Sequence, residues 1–286
     1  MRLDNIQTLR MIEKVVVEGR DSVVLNKTWE DIHAFLGIGT RRHRHLLLTR
    51  QDRETLNTMV SQRISVDLRS GGGKAVTGLA SLGRAELSQV TPYEKLSGKP
   101  VTEDIVLIGS PSGVVKLPDT SIALPAGMAV NCHYAHLHNL DTVVMVENLA
   151  SMYCLNSYPF PECFRDAVML FRGSPQLTPV AVSKAIEGVG QVICFPDYDP
   201  QGLMNSLTQR KSVGMLVPSM ADIQHLLALK LNKAADFDKQ DAARRWLAVH
   251  AAHLPCVSFM LNHRVALSEE AMTRITRLEI VRTSLP

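Results

Sequence analysis

Four apolar runs of strand length stand in the carboxy-terminal half of the 286-residue chain and constrain its fold more than any other feature. They are TVVMV (142–146), AVMLF (167–171), QVICF (191–195) and VGMLV (213–217). The segments between them can each hold one helix, and continuous apolar runs are typical of parallel strands that are buried on both faces. The pattern therefore predicts an α/β fold with a mostly parallel sheet.

Helical patterns follow the last of these runs. Ser219, with Asp222 three residues later, marks a helix start. The segments ADIQHLLALKLNKA (221–234) and DAARRWLAVHAAHL (241–254) predict a pair of helices. SEEAMTRITRLEIV (268–281) predicts a final helix.

Acidic residues stand directly after two of the four runs. Glu147 ends VVMVEN, and Asp197 and Asp199 form a D-x-D pair in VICFPDYDPQG. Open α/β sheets place their ligands at the carboxyl ends of strands, and residues two apart on an extended segment point the same way. Mg²⁺ needs few carboxylates because it keeps waters and substrate phosphate among its ligands. The three acids predict a magnesium site, with Gly202 letting the next helix lie close to it, unless they serve only as helix caps and surface residues.

The order VVMVEN, VMLFRGSP, VICFPDYDPQGL and VGMLVPS resembles the Toprim fold of topoisomerases, primases and several nucleases, over about residues 140–220. It is similar in particular to the family that links the A subunit of type IIB topoisomerases to JetD, the nuclease subunit of the Wadjet plasmid-defence systems. The resemblance implies a Toprim, Rossmann-like catalytic domain at 140–286.

The same resemblance assigns roles to the acidic residues. Asp197 and Asp199 would be metal ligands, and Glu147 either a second-metal ligand or the acid/base group. The metal would be Mg²⁺, for which Mn²⁺ can substitute. A further metal-binding carboxylate would be Glu269 or Glu270, although the surrounding LSEEAM departs from the family motif.

The positions of the tyrosines bear on the reaction. Topoisomerase-like members of the family cut DNA with a tyrosine that lies ahead of the Toprim domain, whereas here no tyrosine precedes Tyr93, and Tyr134 almost adjoins the domain. We therefore expect a DNA endonuclease that hydrolyses phosphodiester bonds of double-stranded plasmid or foreign DNA. By resemblance it would act as a homodimer beside a condensin-like SMC complex. The alternatives are a topoisomerase- or primase-like Toprim enzyme and a non-catalytic DNA-binding protein.

The amino-terminal region, residues 1–100, reads as a separate helical module. Apolar residues at helical spacing predict a helix within residues 3–18. A second helix is predicted to follow Thr28 as its capping residue and to end at Gly37 and Gly39. QRISVDLR (62–69) alternates like a strand. This order fits a helix-turn-helix of the winged-helix type or an unrelated small helical domain.

The chain between the two domains has weaker patterns. Residues 69–100 are rich in glycine, lysine and serine, which predicts loops, hairpins or a linker. Residues 101–139 are predicted to connect the domains, and they contain two short apolar pieces of strand length, IVLIG and MAVNC.

Positive charge is concentrated in the amino-terminal region. Residues 1–100 hold 16 Lys and Arg against 11 Asp and Glu, and the remainder holds 15 against 17. Neutralising phosphates dominates non-specific affinity for DNA, so a cluster of cations is a candidate DNA contact, although a solvated helix face has the same composition. The candidates are Arg41, Arg42, Arg44, Arg50 and Arg53 with His43 and His45, and Arg172 and Lys184 further along the chain.

Cysteine and histidine residues give little support to a zinc site. The five cysteines form no CxxC pair, which predicts reduced thiols. The cluster Cys132, His133, His136 and His138 matches no standard zinc spacing and is otherwise a phosphate-contacting or packed group. The sequence also lacks an apolar run of the roughly 20 residues that a membrane span needs, so we expect a soluble, cytoplasmic protein.

Overall fold

The computed structural model describes residues 5–99, 102–174 and 179–282. The chain divides into two compact units, Met1–Val101 and Thr102–Pro286. The α-helices are α1 (Ile6–Glu18), α2 (Lys27–Leu36), α3 (Arg50–Ile64), α4 (Ala75–Ser81), α5 (Arg84–Ser88), α6 (Leu149–Met152), α7 (Pro179–Gly188), α8 (Pro200–Thr208), α9 (Met220–Ala228), α10 (Ala234–Lys239), α11 (Asp241–His250) and α12 (Pro255–His263). The strands are β1 (Ser22–Val24), β2 (Thr40–Arg42), β3 (His45–Leu47), β4 (Ile105–Gly109), β5 (Val114–Leu117), β6 (Thr120–Ala123), β7 (Val130–His133), β8 (Thr142–Val146), β9 (Val168–Phe171), β10 (Gln191–Phe195), β11 (Ser212–Pro218) and β12 (Leu278–Arg282).

The first two helices of the amino-terminal unit form where the sequence predicts them. α1 buries Leu9 and Ile12 on one face. α2 begins two residues earlier than predicted, because Asn26 rather than Thr28 caps it by accepting a hydrogen bond from the Trp29 backbone N–H at 3.0 Å. It ends at Gly37, whose φ of +65° is the left-handed conformation that glycine adopts without strain.

The basic stretch after α2 is a β-hairpin. β2 and β3 pair antiparallel, and β3 also pairs with β1 to complete a small sheet in the order β1-β3-β2. In the described part of this unit, α2 is the helix between β1 and β2.

The strand predicted at residues 62–69 is wrong. α3 continues to Ile64, because Thr49 and Asp52 form a capping box at its start and Leu56, Val60 and Ile64 repeat every four residues on its buried face. The prediction of loops or a linker at 69–100 is also only partly right, since α4 and α5 lie there.

The carboxy-terminal unit contains the predicted parallel sheet. In the described residues this sheet has seven strands in the order β12-β11-β10-β8-β9-β4-β7. β11, β10, β8 and β9, which are the four apolar runs, are mutually parallel, so the α/β prediction is confirmed. β4 and β7 extend one edge antiparallel, so the segment 101–139, which was predicted as a connection, contributes two strands to this sheet. It also forms a separate antiparallel hairpin of β5 and β6.

The other edge of the sheet corrects a second prediction. SEEAMTRITRLEIV does not form one helix: Glu269–Arg274 is a short 3-10 helix, and β12 pairs antiparallel with β11. The physical reason is that a buried strand leaves unpaired backbone N–H and C=O groups at its edge, and β12 satisfies those of β11. Ser219 caps α9 as predicted, and no helix in the described part of the chain is long and apolar enough to cross a membrane.

Candidate active site

The sheet brings Glu147 and Asp197 together. β8 and β10 are neighbours with Val146 opposite Phe195, so the residues that follow the two strands lie at one edge. Glu147 donates its backbone N–H to the Phe195 carbonyl at 3.2 Å, and the Asp197 N–H donates to Glu147 Oε2, also at 3.2 Å. The predicted proximity of these two acids therefore follows directly from strand register.

Asp199 is the N-cap of α8, as its position before Pro200 predicts. Its Oδ1 accepts a hydrogen bond from the Gly202 N–H at 2.7 Å. Its Oδ2 accepts one from Gln240 Nε2 at 2.7 Å, and Gln240 Oε1 accepts from the Gln201 N–H at 2.7 Å. Gln240 thus fixes both the carboxylate and the first turn of α8, a role that no sequence pattern indicated.

Gly202 allows the close approach that the sequence predicted. A Cβ at this position would lie 2.3 Å from the Asp197 carbonyl oxygen and 3.0 Å from Glu147 Oε2. Real Cβ atoms are not found so near to a backbone oxygen, so any larger residue has to displace the chain that carries the acids. The first turn of α8 is therefore packed directly against the site.

Glu269 joins the two acidic strand ends. Its Oε1 accepts a hydrogen bond from the Glu147 N–H at 2.8 Å, and both of its carboxylate oxygens lie 3.2 Å from the Asn148 N–H. Its own N–H donates to Asp197 Oδ1 at 2.6 Å. We call this set of hydrogen bonds the Glu269 bracket.

Glu269 and the adjacent Glu270 differ in exposure. Glu269 has no exposed surface, so its carboxylate is used inside the protein to hold the backbone. The adjacent Glu270 is exposed, and its charge is among those that act on Asp197. Asn148, which follows Glu147, adds a side-chain hydrogen bond from Nδ2 to Asp197 Oδ1 at 2.8 Å.

Burial and mutual repulsion disfavour the ionised forms of the acids in the site. Burial raises the pKa of Glu147 to about 6, against the opposing effect of Arg172, whose Nη1 lies 3.0 Å from Glu147 Oε1. Burial also raises the pKa of Asp197, and the charges of Asp199 and Glu270 raise it further. Burial raises the pKa of Glu269 well above its usual value. Raised carboxyl pKa values in a cleft are typical of functional sites, and a bound cation would relieve the repulsion.

A cavity of about 200 Å³ opens beside Asp197 and Asp199. No hydrogen bond from the described residues reaches Asp197 Oδ2, so this oxygen is available to a ligand. No group of three or more His, Cys, Asp or Glu side chains that could hold a metal occurs within residues 5–99, 102–174 and 179–282. Asp197 and Asp199 with waters still fit Mg²⁺, because the oxygens of Asp199 accept hydrogen bonds only from the neutral Gly202 N–H and Gln240 side chain, whereas Glu147 is already paired with the cationic Arg172.

The predicted DNA contacts fall into two groups. In the hairpin, Arg41, Arg42 and Arg44 are exposed, as are the histidines between and after them and Arg50 at the start of α3. The other cations have partners inside the protein.

Those engaged cations hold the structure together. Arg53 donates to Asp21 Oδ1 at 2.6 Å and to the carbonyls of Arg20 and Leu48. Arg172 pairs with Glu147, and Lys184 pairs with Asp104 at 2.6 Å. In the hairpin Arg41 also lies 3.6 Å from Glu30, so Arg42 and Arg44 are the exposed hairpin arginines for which the described residues give no ion pair. They are therefore the better candidates to contact an anionic polymer.

The cysteine and histidine cluster is only partly packed. Cys132 and His138 are half-buried, and burial raises the pKa of the Cys132 thiol to about 11. The His133 ring stacks on Tyr134 with centroids 4.6 Å apart, and Tyr134 also contacts the ring of His138. These contacts account for Cys132, His133 and His138 as part of the fold, whereas His136 is exposed.

Comparison with known proteins places the chain in a family. A family model described as a domain of unknown function (DUF7281) matches residues 103–278. The chain belongs to the DUF7281 family. The matched segment runs from just before β4 to the first residue of β12, so the whole acidic site is a feature of the DUF7281 region. A search of curated proteins found no match to the chain.

Proposed function

We propose that this DUF7281 protein is a magnesium-dependent DNA endonuclease with a Toprim-type catalytic domain. The observation that carries the proposal is the convergence of Glu147 with Asp197 and Asp199 at the carboxyl ends of two adjacent parallel strands. Asp197 and Asp199 would hold the cation, and Asp197 Oδ2 is the free oxygen. A bound divalent cation would supply an activated water and would stabilise the leaving oxygen of a phosphodiester.

The chain's own residues prepare the site for this chemistry. The Glu269 bracket and Asn148 fix the positions of Glu147 and Asp197, and Gln240 fixes Asp199. A pKa of about 6 suits Glu147 to hold or accept a proton near neutral pH. The alternative role of Glu147, as a ligand to a second cation, requires its ion pair with Arg172 to break.

The two buried tyrosines of the unit, Tyr158 and Tyr198, are poorly suited to a covalent tyrosine mechanism, whereas Tyr153 is exposed. Tyr198, between the two aspartates, is fully buried and donates its hydroxyl to the Cys256 carbonyl at 2.6 Å. Tyr158 is buried and donates to Ser151 Oγ at 2.8 Å. Burial raises the pKa of both hydroxyls, which disfavours them as nucleophiles.

DNA as the substrate is supported by the basic hairpin of the amino-terminal unit. Its exposed Arg42 and Arg44 can neutralise phosphates, in the manner of a wing in a winged-helix module. The resemblance to JetD adds the further proposals of a homodimer that acts in the cytoplasm beside a condensin-like SMC complex.

Incubation with supercoiled plasmid and Mg²⁺ or Mn²⁺ tests the proposal. We expect nicking or linearisation by the wild type, and a loss of at least about 100-fold in Asp197→Ala and Glu147→Ala. The matched control is Asp119→Ala, an exposed acid in the turn between β5 and β6, which should cleave like the wild type. Equal cleavage by wild type and Asp197→Ala would refute the site. DNA binding without cleavage in any metal would favour the non-catalytic alternative.

A further inference from the structure

The cavity beside Asp197 and Asp199 has a second wall that the proposed mechanism does not use. This wall is formed by residues at and around α10, which we call the α10 wall: Lys233, Asp236, Lys239 and Gln240. Ala266, Leu267 and Ser268 complete the lining. Carboxylates therefore face a segment that carries two lysines across one small cavity.

The α10 wall is anchored to the rest of the unit. The Lys233 backbone N–H donates to the Ala266 carbonyl at 2.9 Å, and Phe237, in the middle of α10, is buried. At the other end of the wall, Gln240 is bonded to Asp199 Oδ2 and to the Gln201 N–H. These contacts hold the backbone that carries the two lysines beside the cavity.

The two lysines are not equivalent. Lys239 Nζ forms an ion pair with Asp236 at 2.9 Å, so its charge is already compensated. For Lys233, the described residues provide no carboxylate within 4.0 Å and no side-chain hydrogen bond. It is exposed, and it lines the same cavity as Asp197 and Asp199 without pairing with either of them. Its ammonium group is thus free to meet a ligand.

The net charge of the cavity depends on whether a cation is bound. Three carboxylates and two ammonium groups among the described lining residues give a net formal charge of −1. Without a bound cation the cavity therefore repels an anion. A divalent cation on Asp197 and Asp199 changes the net formal charge of the cavity to +1. Under that condition a lysine on the opposite wall becomes a favourable partner for phosphate.

We propose that this cavity is a phosphate subsite in which Lys233 binds a non-bridging oxygen of a DNA phosphate when a divalent cation occupies Asp197 and Asp199. The inference rests on the proposed function, because the ligand is the phosphodiester on which that function acts. It adds a residue that stands 34 positions after Asp199 and outside the four apolar runs. Cation and phosphate then bind cooperatively, and each strengthens the other by the same factor.

The test is the affinity of the full chain for a fluorescent 12-base-pair DNA duplex, measured by anisotropy in Ca²⁺ and in EDTA. Wild-type protein should bind more tightly in Ca²⁺. Lys233→Met keeps the length of the side chain and removes its charge, so it should lose roughly tenfold in affinity in Ca²⁺ and nothing in EDTA. Lys230→Met removes an exposed lysine that does not line the cavity and should behave as wild type.

Each result decides between distinct conclusions. Loss of the Ca²⁺-dependent increment in Lys233→Met and its partial rescue in Lys233→Arg support the subsite. An increment that survives in Lys233→Met but disappears in Asp197→Asn overturns the subsite and leaves the metal site intact. No increment in the wild type also overturns the subsite, and plasmid cleavage by the same preparation then shows whether the proposed function stands.

Discussion

The two strand ends that carry the acids differ in how their charges are compensated. Glu147, after β8, has a side chain only 11% exposed, and its two oxygens are held by Arg172 and by the Asp197 N–H. Asp197, after β10, lines an open cavity and keeps Oδ2 free of hydrogen bonds from the described residues. The β8 end is paired with a cationic side chain of the protein, whereas the carboxylates of the β10 end have only neutral hydrogen-bond donors and can accept a cation from solution. The difference favours Asp197 and Asp199 as ligands and Glu147 as the group that holds a proton.

The largest change in the free energy of unfolding is expected from removing the Glu269 side chain, which links the ends of β8 and β10. In Glu269→Ala the Asn148 N–H loses its carboxylate acceptor, and the Glu147 N–H keeps only its longer bond to the Phe195 carbonyl. The backbone N–H of residue 269, which donates to Asp197 Oδ1, is then no longer held in place by the side chain. We expect the free energy of unfolding to fall by about 4 kcal/mol in urea denaturation. Glu270→Ala, one residue on and exposed, should change it by no more than about 0.5 kcal/mol. Equal stability of the two variants would show that the bracket does not hold the site.

A smaller loss of stability is expected from a larger residue at position 202, which would displace the chain that carries Asp197. In Gly202→Ala the new Cβ collides with the Asp197 carbonyl, which is backbone and cannot simply rotate away. Overpacking of this kind should cost about 3 kcal/mol, measured as a lowered melting temperature. Gly78→Ala in α4 is the control, since a Cβ there meets nothing within 4 Å and should stabilise the helix by about 0.5 to 1 kcal/mol. A Gly202→Ala protein as stable as the wild type would mean that α8 does not press on the acids.

The titration of Glu147 gives the smallest expected effect. Its pKa in the folded protein is raised from 4.5 to about 6, chiefly by burial, so the folded state holds this proton more tightly than the unfolded state. That contribution to stability is fully present below about pH 4.5 and is lost as the pH rises through about 6. Relative to Glu147→Gln, the wild type should lose about 2 kcal/mol of unfolding free energy between pH 4 and pH 7.

Urea denaturation of both proteins across this pH range measures the difference. A difference that stays constant with pH would show that Glu147 is not perturbed, and the contrast between the two strand ends would then lose its main physical basis. Arg172→Met should move the transition to higher pH, because the guanidinium opposes the effect of burial on the pKa of Glu147.

Local signals in the sequence were sufficient for the parts of the fold that position the acids. The apolar runs before Glu147 and Asp197 predicted β8 and β10, because only a strand buried on both faces is apolar at every position. Asp199 before Pro200 predicted the start of α8, because an N-cap and a proline at the first helical position are adjacent in sequence. Gly202 likewise follows from the need for close approach within a single turn.

Residues that act across large separations could not be predicted in this way. Gln240 lies 41 positions after Asp199 and reaches it only because α11, which begins directly after Gln240, packs against α8 in the folded unit. Glu269 was expected among the metal ligands, and its burial against the Glu147 and Asn148 backbone depends on the whole sheet. β12 was expected to be helical, because its sequence has helical spacing and only the open edge of β11 makes it a strand.

Direct binding of Mn²⁺, followed by electron paramagnetic resonance, tests the central claim most directly because it requires no cleavage activity. We expect the wild type to bind Mn²⁺ in competition with Mg²⁺, and Asp197→Asn to bind it at least roughly tenfold more weakly. Glu147→Gln should lose less affinity than Asp197→Asn, because Glu147 is not a ligand of this cation and the substitution acts only through the charge of the unpaired Arg172. Equal Mn²⁺ binding by the wild type and Asp197→Asn would contradict the assignment of the β10 end as the metal site.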